Sequence, residues 1–371
     1  MSRAPAPAAV VLLLAGLWPA GIPLAGDRPA PLTIGLFVPR TGAQAAAGRE
    51  AGRGAAIAVD RANRERSLSG RSIRLIETSS DGAWETGARG LARLVHDDGA
   101  IAVIGGLDAR TAHVAEQVIV RSRGAAVFVT PWASETTLTA LPIPWFFRLV
   151  PDDRRQAERL VEEIFSTRRL ARAAILVEAG FDGRAAAAAF MAAAPAGAVL
   201  RVESQDAGRS ADLVARLRAG RAEAVVLFGD PAAAGRRARS MVEAGLALPL
   251  FAPLALACDE FRRSAGDAAG RLVVLAPDGR ETAAAARFAA EYRARHGTEP
   301  TPLAMYTHDA VVAVLTAARA TGAPIAAALA EVAIAGATGP VRFDRQRTRL
   351  QVPDPRALWA AASGGSCAGS R

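Results

Sequence analysis

The stretch from Ile101 to Thr139 constrains the fold of this chain most. Residues 101–104 form a continuous apolar run, the pattern of a strand buried on both faces of a parallel sheet, and the run stops at Gly105-Gly106. Val114, Ala115, Val118 and Ile119 then fall on one face of a helix. A second apolar run, 125–129, ends at Thr130-Pro131, after which Ser134 is placed to cap a further helix. A strand–loop–helix–strand unit of this kind puts both loops at the carboxyl ends of parallel strands, where open α/β sheets bind their ligands. The free N–H groups and positive dipole end of a helix starting there suit an anion such as a carboxylate.

The same alternation runs along the chain. Strands are expected at 32–38, 71–76, 173–177, 224–228, 248–251 and 272–276. Helices are expected at 54–63, 90–95, 156–165, 185–194, 236–245, 283–293, 303–317 and 325–330, with Gly48 in a loop before the first. The alternation before Val150 recurs after it, so two similar α/β lobes follow, each with a parallel sheet.

Composition excludes several function classes. With 371 residues, 51% hydrophobic and 22% charged, the chain can bury a core in one or two domains. The net charge of +9 is carried by arginine, since the sequence has no lysine, and the arginines are spread among Asp and Glu. No basic run is interleaved with aromatics, so no nucleic-acid partner is expected. Four scattered histidines (His96, His113, His296, His308) and two cysteines without ligand spacing give no metal site. Cys258 and Cys367 are either separate thiols or, in an oxidising compartment, a pair tying the C-terminal tail to the body. There is no nucleophile elbow, phosphate loop, dinucleotide fingerprint or catalytic Ser/His/Asp set, so neither an enzyme nor a cofactor is expected. Residues 1–25 read as a cleaved secretory signal: Arg3, an apolar run at 8–17 too short to span a bilayer, and Pro23-Leu24-Ala25 before the cut. The absence of a cysteine there excludes a lipid-bearing N-terminal cysteine. Residues 363–371 read as a flexible tail.

Many weak motifs occur in one order. Gly54, Ala58, Asp60 and Asn63 lie on the first helix, and Asp81 follows the second strand. Ile104-Gly105 is followed by Val129-Thr130-Pro131-Trp132-Ala133-Ser134 and Leu138-Thr139. Phe147-Arg148 precedes Pro151-Asp152, then come Gly180-Phe181-Asp182-Gly183, Tyr306 with Asp309, and Gly339 to Asp344. This order resembles the leucine/isoleucine/valine-binding type of periplasmic solute-binding protein, the type I branch serving ABC importers. The resemblance implies an α/β fold of two Rossmann-like lobes with parallel sheets, joined by a three-stranded hinge. Lobe 1 would comprise residues 26–150 plus 278–339, and lobe 2 residues 151–277 plus 340–362. It also implies a periplasmic location, a small-molecule ligand (an amino acid or carboxylate), an inner-membrane ABC permease as partner and a monomer. A ligand-sensing receptor of the same fold, without transport, is the alternative.

Carried over by position, the resemblance puts the ligand carboxylate on two loops of lobe 1. The first is Ala109, where relatives have serine, with Arg110 and Thr111 following. The second is Trp132, Ala133 and Ser134. Lobe 2 would supply Phe181, Asp230 and Leu254. Leu254 stands where amino-acid binders often have an acidic residue for the ammonium. Either Asp230 or Asp108 takes that role, or the ligand has no ammonium. Trp132, Phe181 and Leu254 make the rest of the expected pocket apolar, which favours a hydrophobic carboxylate, or a branched-chain amino acid if an aspartate receives its ammonium.

Overall fold

The computed structural model describes residues 30–359, apart from 142, 179, 204–209, 278–281 and 321. The expected signal at 1–25, the tail at 363–371 and the Cys258–Cys367 pairing lie outside the described residues in whole or in part.

The first lobe is built on five parallel strands: β1 (Leu32–Val38), β2 (Ile73–Ser79), β3 (Ala100–Gly105), β4 (Val127–Thr130) and β5 (Phe146–Arg148), in the order β2-β1-β3-β4-β5. Every residue of β1 is buried, because helices cover both faces of the sheet. Ile34 and Leu36 join α1 (Ala45–Arg64) in one core, and Phe37 joins α2 (Ala88–His96) and α3 (Ala109–Arg121) in the other.

The second lobe repeats the plan. β6 (Ala173–Val177), β7 (Val199–Glu203), β8 (Ala224–Phe228), β9 (Leu250–Ala252) and β10 (Leu272–Leu275) are parallel, in the order β7-β6-β8-β9-β10. Its helices are α4 (Asp153–Val161), α5 (Phe181–Ala193), α6 (Ser210–Ala219), α7 (Pro231–Glu243) and α8 (Asp259–Ala265). The chain then returns to the first lobe with α9 (Ala283–His296), α10 (Pro302–Ala317), α11 (Ile325–Ala330) and the hairpin β11 (Ile334–Gly336)–β12 (Gly339–Val341). It ends the described fold on β13 (Pro355–Ala357), which adds antiparallel to β10.

Three passages therefore join the lobes: 149–152, the connection that leaves β10 at Ala276-Pro277, and 342–354. The third runs later than the expected boundary at Gly339, because Gly339–Val341 is held in the hairpin. Asp309 fixes that hairpin. Its buried carboxylate accepts the backbone N–H groups of Ala337 (2.8 Å) and Thr338 (2.7 Å). Thr348 bridges to Arg148, and Arg155 of α4 donates to Asp344 and to the carbonyl of Arg349, so the first and third passages are fastened together.

Two helix starts depart most from expectation. The first helix begins at Ala45 and takes in Gly48, because its small residues let it lie on the β1 loop; a Cβ on Gly48 would meet the Pro39 carbonyl. No helix follows Ser134. The chain makes a single 3-10 turn at Thr136–Thr139, capped by Glu135, whose carboxylate accepts the Thr137 N–H at 3.0 Å.

Candidate functional site

In both sheets the order reverses at the first strand, between β1 and β3 and between β6 and β8. A cleft of about 740 Å³ opens at the carboxyl ends of these strands. Glycine makes the two reversal points possible. At Gly105 (φ +154°) and Gly229 (φ +105°) a Cβ would strike the backbone carbonyls of Phe37 and Glu178.

The first-lobe wall is rigid. Thr130 donates to the Gly106 carbonyl (2.8 Å) and its hydroxyl accepts the Ala133 N–H (3.1 Å), which locks the β3 and β4 loops together. Trp132 stands in the cleft in an edge contact with Tyr306 (centroids 6.1 Å apart), and the Arg349 guanidinium also packs on that buried ring, 5.3 Å from its centroid. Behind the wall lies Arg148, 1% exposed. Its guanidinium donates to the carbonyls of Ser134 and Glu135 and to the hydroxyls of Thr139 and Thr348. Burial lowers its pKa, against the pull of Asp152 and Asp153.

The second-lobe wall is open. Phe181, the first residue of α5, is 61% exposed, and Trp84 from the first lobe is 62% exposed at the cleft mouth. Asp182 faces across the cleft and accepts the backbone N–H of Ala109 at the start of α3, at 3.2 Å. Enclosure between the walls, with Asp108 and Glu135 close by, raises its pKa. Asp230 caps α7, accepting the Ala233 N–H at 2.8 Å.

Of the residues expected at the site, Arg110, Trp132, Ala133, Ser134, Phe181 and Asp230 line the cleft. Three do not. The Ala109 side chain is buried, and only its N–H reaches the cleft, where Asp182 holds it. Thr111 closes a capping box: its N–H donates to Asp108 at 2.8 Å and its hydroxyl is turned to the same residue. Leu254 is in the core, with its neighbours Pro253 and Ala255 on the cleft, because the turn at Leu254–Leu256 points it inward and the Gln156 side chain anchors its N–H at 3.0 Å. Asp108 lines the cleft while capping α3.

Gln44, Trp84, His113, Asp153 and Asp182 were not foreseen as cleft residues. Asp153 is 4% exposed. Burial pushes its carboxyl up to about 7, partly offset by a hydrogen bond with the Ser134 side chain, and Asp182 opposite raises it further. His113 hydrogen-bonds Glu116 at 2.8 Å and faces Glu135 at 3.4 Å, and these carboxylates raise it to about 9. Burial opposes ionisation of Glu135, yet His113 and Thr137 hold it at about 2. Among the described residues there is no group of His, Cys, Asp and Glu fit to hold a metal, and no helix is long and apolar enough to cross a membrane.

Known proteins share this fold. The chain is 29% identical over 280 residues to Leu/Ile/Val-binding protein homolog 3 of Brucella melitensis, covering 74% of this chain and 75% of that protein. Its fold matches the branched-chain amino acid transporter substrate binding protein LivJ of Streptococcus pneumoniae, solved with isoleucine (TM-score 0.76, 21% identity, 86% of this chain and 93% of that one). It also matches a solute binding protein of an ABC transporter from R. palustris, solved with benzoate (TM-score 0.72, 19% identity, 86% and 91%). The family described as periplasmic binding protein matches residues 31–357, and with two lobes of the same strand order facing one cleft, the chain belongs to that family of solute-binding proteins.

Proposed function

We propose that this protein is the solute-capturing component of an ABC importer, taking up a small carboxylate-bearing solute with an apolar body. The observation that carries this reading is the cleft: about 740 Å³ between two sheets of matching order, with an indole, a phenyl ring and the first turn of α3 facing inward. The first turn of α3 already accepts a carboxylate, that of Asp182, as its free N–H groups and dipole favour. A solute carboxylate at Ser134 that takes the place of Asp182 on the Ala109 N–H would lay its apolar body against Trp132 and Phe181. The ligands in the two solved relatives, isoleucine and benzoate, each carry a carboxylate on an apolar body.

In this reading the protein is exported through a cleaved signal at residues 1–25, works as a monomer in the periplasm, and delivers its solute to an inner-membrane permease without chemical change. The two lobes move as bodies about the passages near Val150, Pro277 and the stretch after Gly339, closing over the solute. A thermal-shift screen of amino acids and small carboxylates tests it. Any solute that binds only the folded state raises the melting temperature in proportion to the logarithm of its concentration. Stabilisation by apolar carboxylates, unaffected by a chelator, supports the reading. A screen in which no carboxylate stabilises the protein, or a solute recovered chemically altered, refutes it.

A further inference from the structure

Asp108, Asp152, Asp182 and Asp230 stand at the starts of α3, α4, α5 and α7, the helices that reach the cleft. Three of these aspartates serve their own helix. Asp108, Asp152 and Asp230 accept the N–H groups of Thr111, Arg155 and Ala233, each at 2.8 Å. Asp182 does otherwise. The cap of its own helix is Gly180, which offers no side chain. Its carboxylate accepts instead the N–H of Ala109, in the first turn of α3 on the opposite lobe, at 3.2 Å. Close packing seats α5 for this contact: a Cβ on Gly183 would lie 2.3 Å from the Gly229 Cα, so the helix start is pressed against the loop after β8. Asp182 is nevertheless exposed, so it can leave the amide without crossing the core.

We infer that Asp182 is an internal ligand of the first-lobe wall, which latches the empty protein shut and which every solute has to expel. This rests on the reading of the cleft as a carboxylate-solute site. The Ala109 N–H has one hydrogen to give, so Asp182 and a solute carboxylate cannot both hold it at full strength. Exchanging one carboxylate for another there gains little by itself. What decides the exchange is an apolar body that Trp132 and Phe181 can cover, which Asp182 does not supply. Asp182 therefore sets a threshold. A carboxylate without an apolar body has nothing with which to displace it, whereas one with such a body does. The latch also joins the two walls, so its loss lets the empty lobes part.

The test uses the full-length wild type, Asp182→Ala and Asp182→Asn. Small-angle scattering reads the shape of the empty proteins, and calorimetric titration with isoleucine and with benzoate reads affinity. Asp182→Ala removes both the charge and the acceptor. Asp182→Asn removes the charge and keeps an acceptor oxygen in place. Empty Asp182→Ala should have a larger radius of gyration than the empty wild type. It should bind whichever of the two probes the wild type binds about tenfold more tightly, the share of one hydrogen bond to a charged group. Asp182→Asn should gain less.

Equal gains in the two variants would assign the effect to charge alone and overturn the internal ligand. Weaker binding in either variant would show that Asp182 helps to hold the solute, and overturns it too. An Asp182→Ala variant with wild-type scattering and wild-type affinity overturns the latch and leaves the carboxylate-solute reading standing. If Asp182→Ala opens the empty protein while no variant binds either probe or any carboxylate of the screen, the latch stands and that reading falls.

Discussion

The two walls of the cleft are built from the same strand order and yet differ in how firmly they are held. The first-lobe wall is fastened at every level: Thr130 ties two loops, Tyr306 and Arg349 back Trp132, and Arg148 gathers two carbonyls and two hydroxyls behind Ser134. The second-lobe wall presents Phe181 to solvent and Asp182 to the far side, with only helix starts beneath them. In the proposed function, a solute docks on the wall that is already shaped and is then covered by the wall that is not, so the ordering cost of binding falls mainly on the second lobe.

Breaking the rigid wall should have the largest effect. Arg148→Met removes the buried guanidinium that donates to two carbonyls and two hydroxyls and leaves Asp152 without its cation, and is expected to lower unfolding free energy by about 3–5 kcal/mol, read from urea denaturation. A loss below 1 kcal/mol would show that the wall does not depend on this residue. Removing one hydroxyl from the same wall should act on binding instead. Ser134→Ala should weaken every carboxylate solute by about 1–2 kcal/mol in calorimetry, through loss of a hydrogen bond to a charged group. On the open wall, Phe181→Ala should change stability by no more than about 0.5 kcal/mol, since the ring is exposed, while weakening an apolar solute by about 1 kcal/mol. Equal effects on stability from Phe181→Ala and Arg148→Met would remove the distinction between the walls.

The smallest effect is a pH dependence of stability from the His113–Glu135 contact at the edge of the first-lobe wall. His113 is raised in the folded state, so its contribution is complete below about 6.5 and is lost as pH rises through about 9. Glu135 is depressed, so its contribution is present above about 4.5 and is lost as pH falls toward about 2. Stability should decline between pH 6.5 and 9, and His113→Gln should flatten that decline. An unchanged slope in the variant would assign it to other groups.

Much of the fold was legible because apolar runs report parallel strands directly. The runs at β1, β6 and β8 have the bounds the sequence suggests, since all three are buried on both faces. Short edge pieces were not legible. β7, whose sequence VLRVE carries an arginine and a glutamate, and β13, three residues around Pro355, lack the run that marks an interior strand. The helix expected at 54–63 starts nine residues late because Gly48 reads as a breaker, whereas the missing side chain of Gly48 is what lets α1 approach the Pro39 carbonyl.

Of the residues the resemblance carries over, Arg110, Trp132, Ala133, Ser134, Phe181 and Asp230 line the cleft. Leu254, Thr111 and the Ala109 side chain do not reach the cleft, because a 3-10 turn and a capping box turn them away, and neither has a signal in local sequence. Asp153 and Asp182 were hidden for the opposite reason. Each reads as an ordinary acidic residue in the first turn of a helix, and only the meeting of two lobes shows that both face the cleft.

The central claim is that one solute engages both walls at once. Amide hydrogen exchange, with and without the solute that most stabilises the protein in the thermal-shift series, tests this most directly. The account predicts that residues 107–112 and 131–135 of the first wall and residues 180–183 of the second gain protection together, with the larger gain on the second. Protection confined to one wall, or appearing away from the cleft while both walls exchange as before, would contradict it.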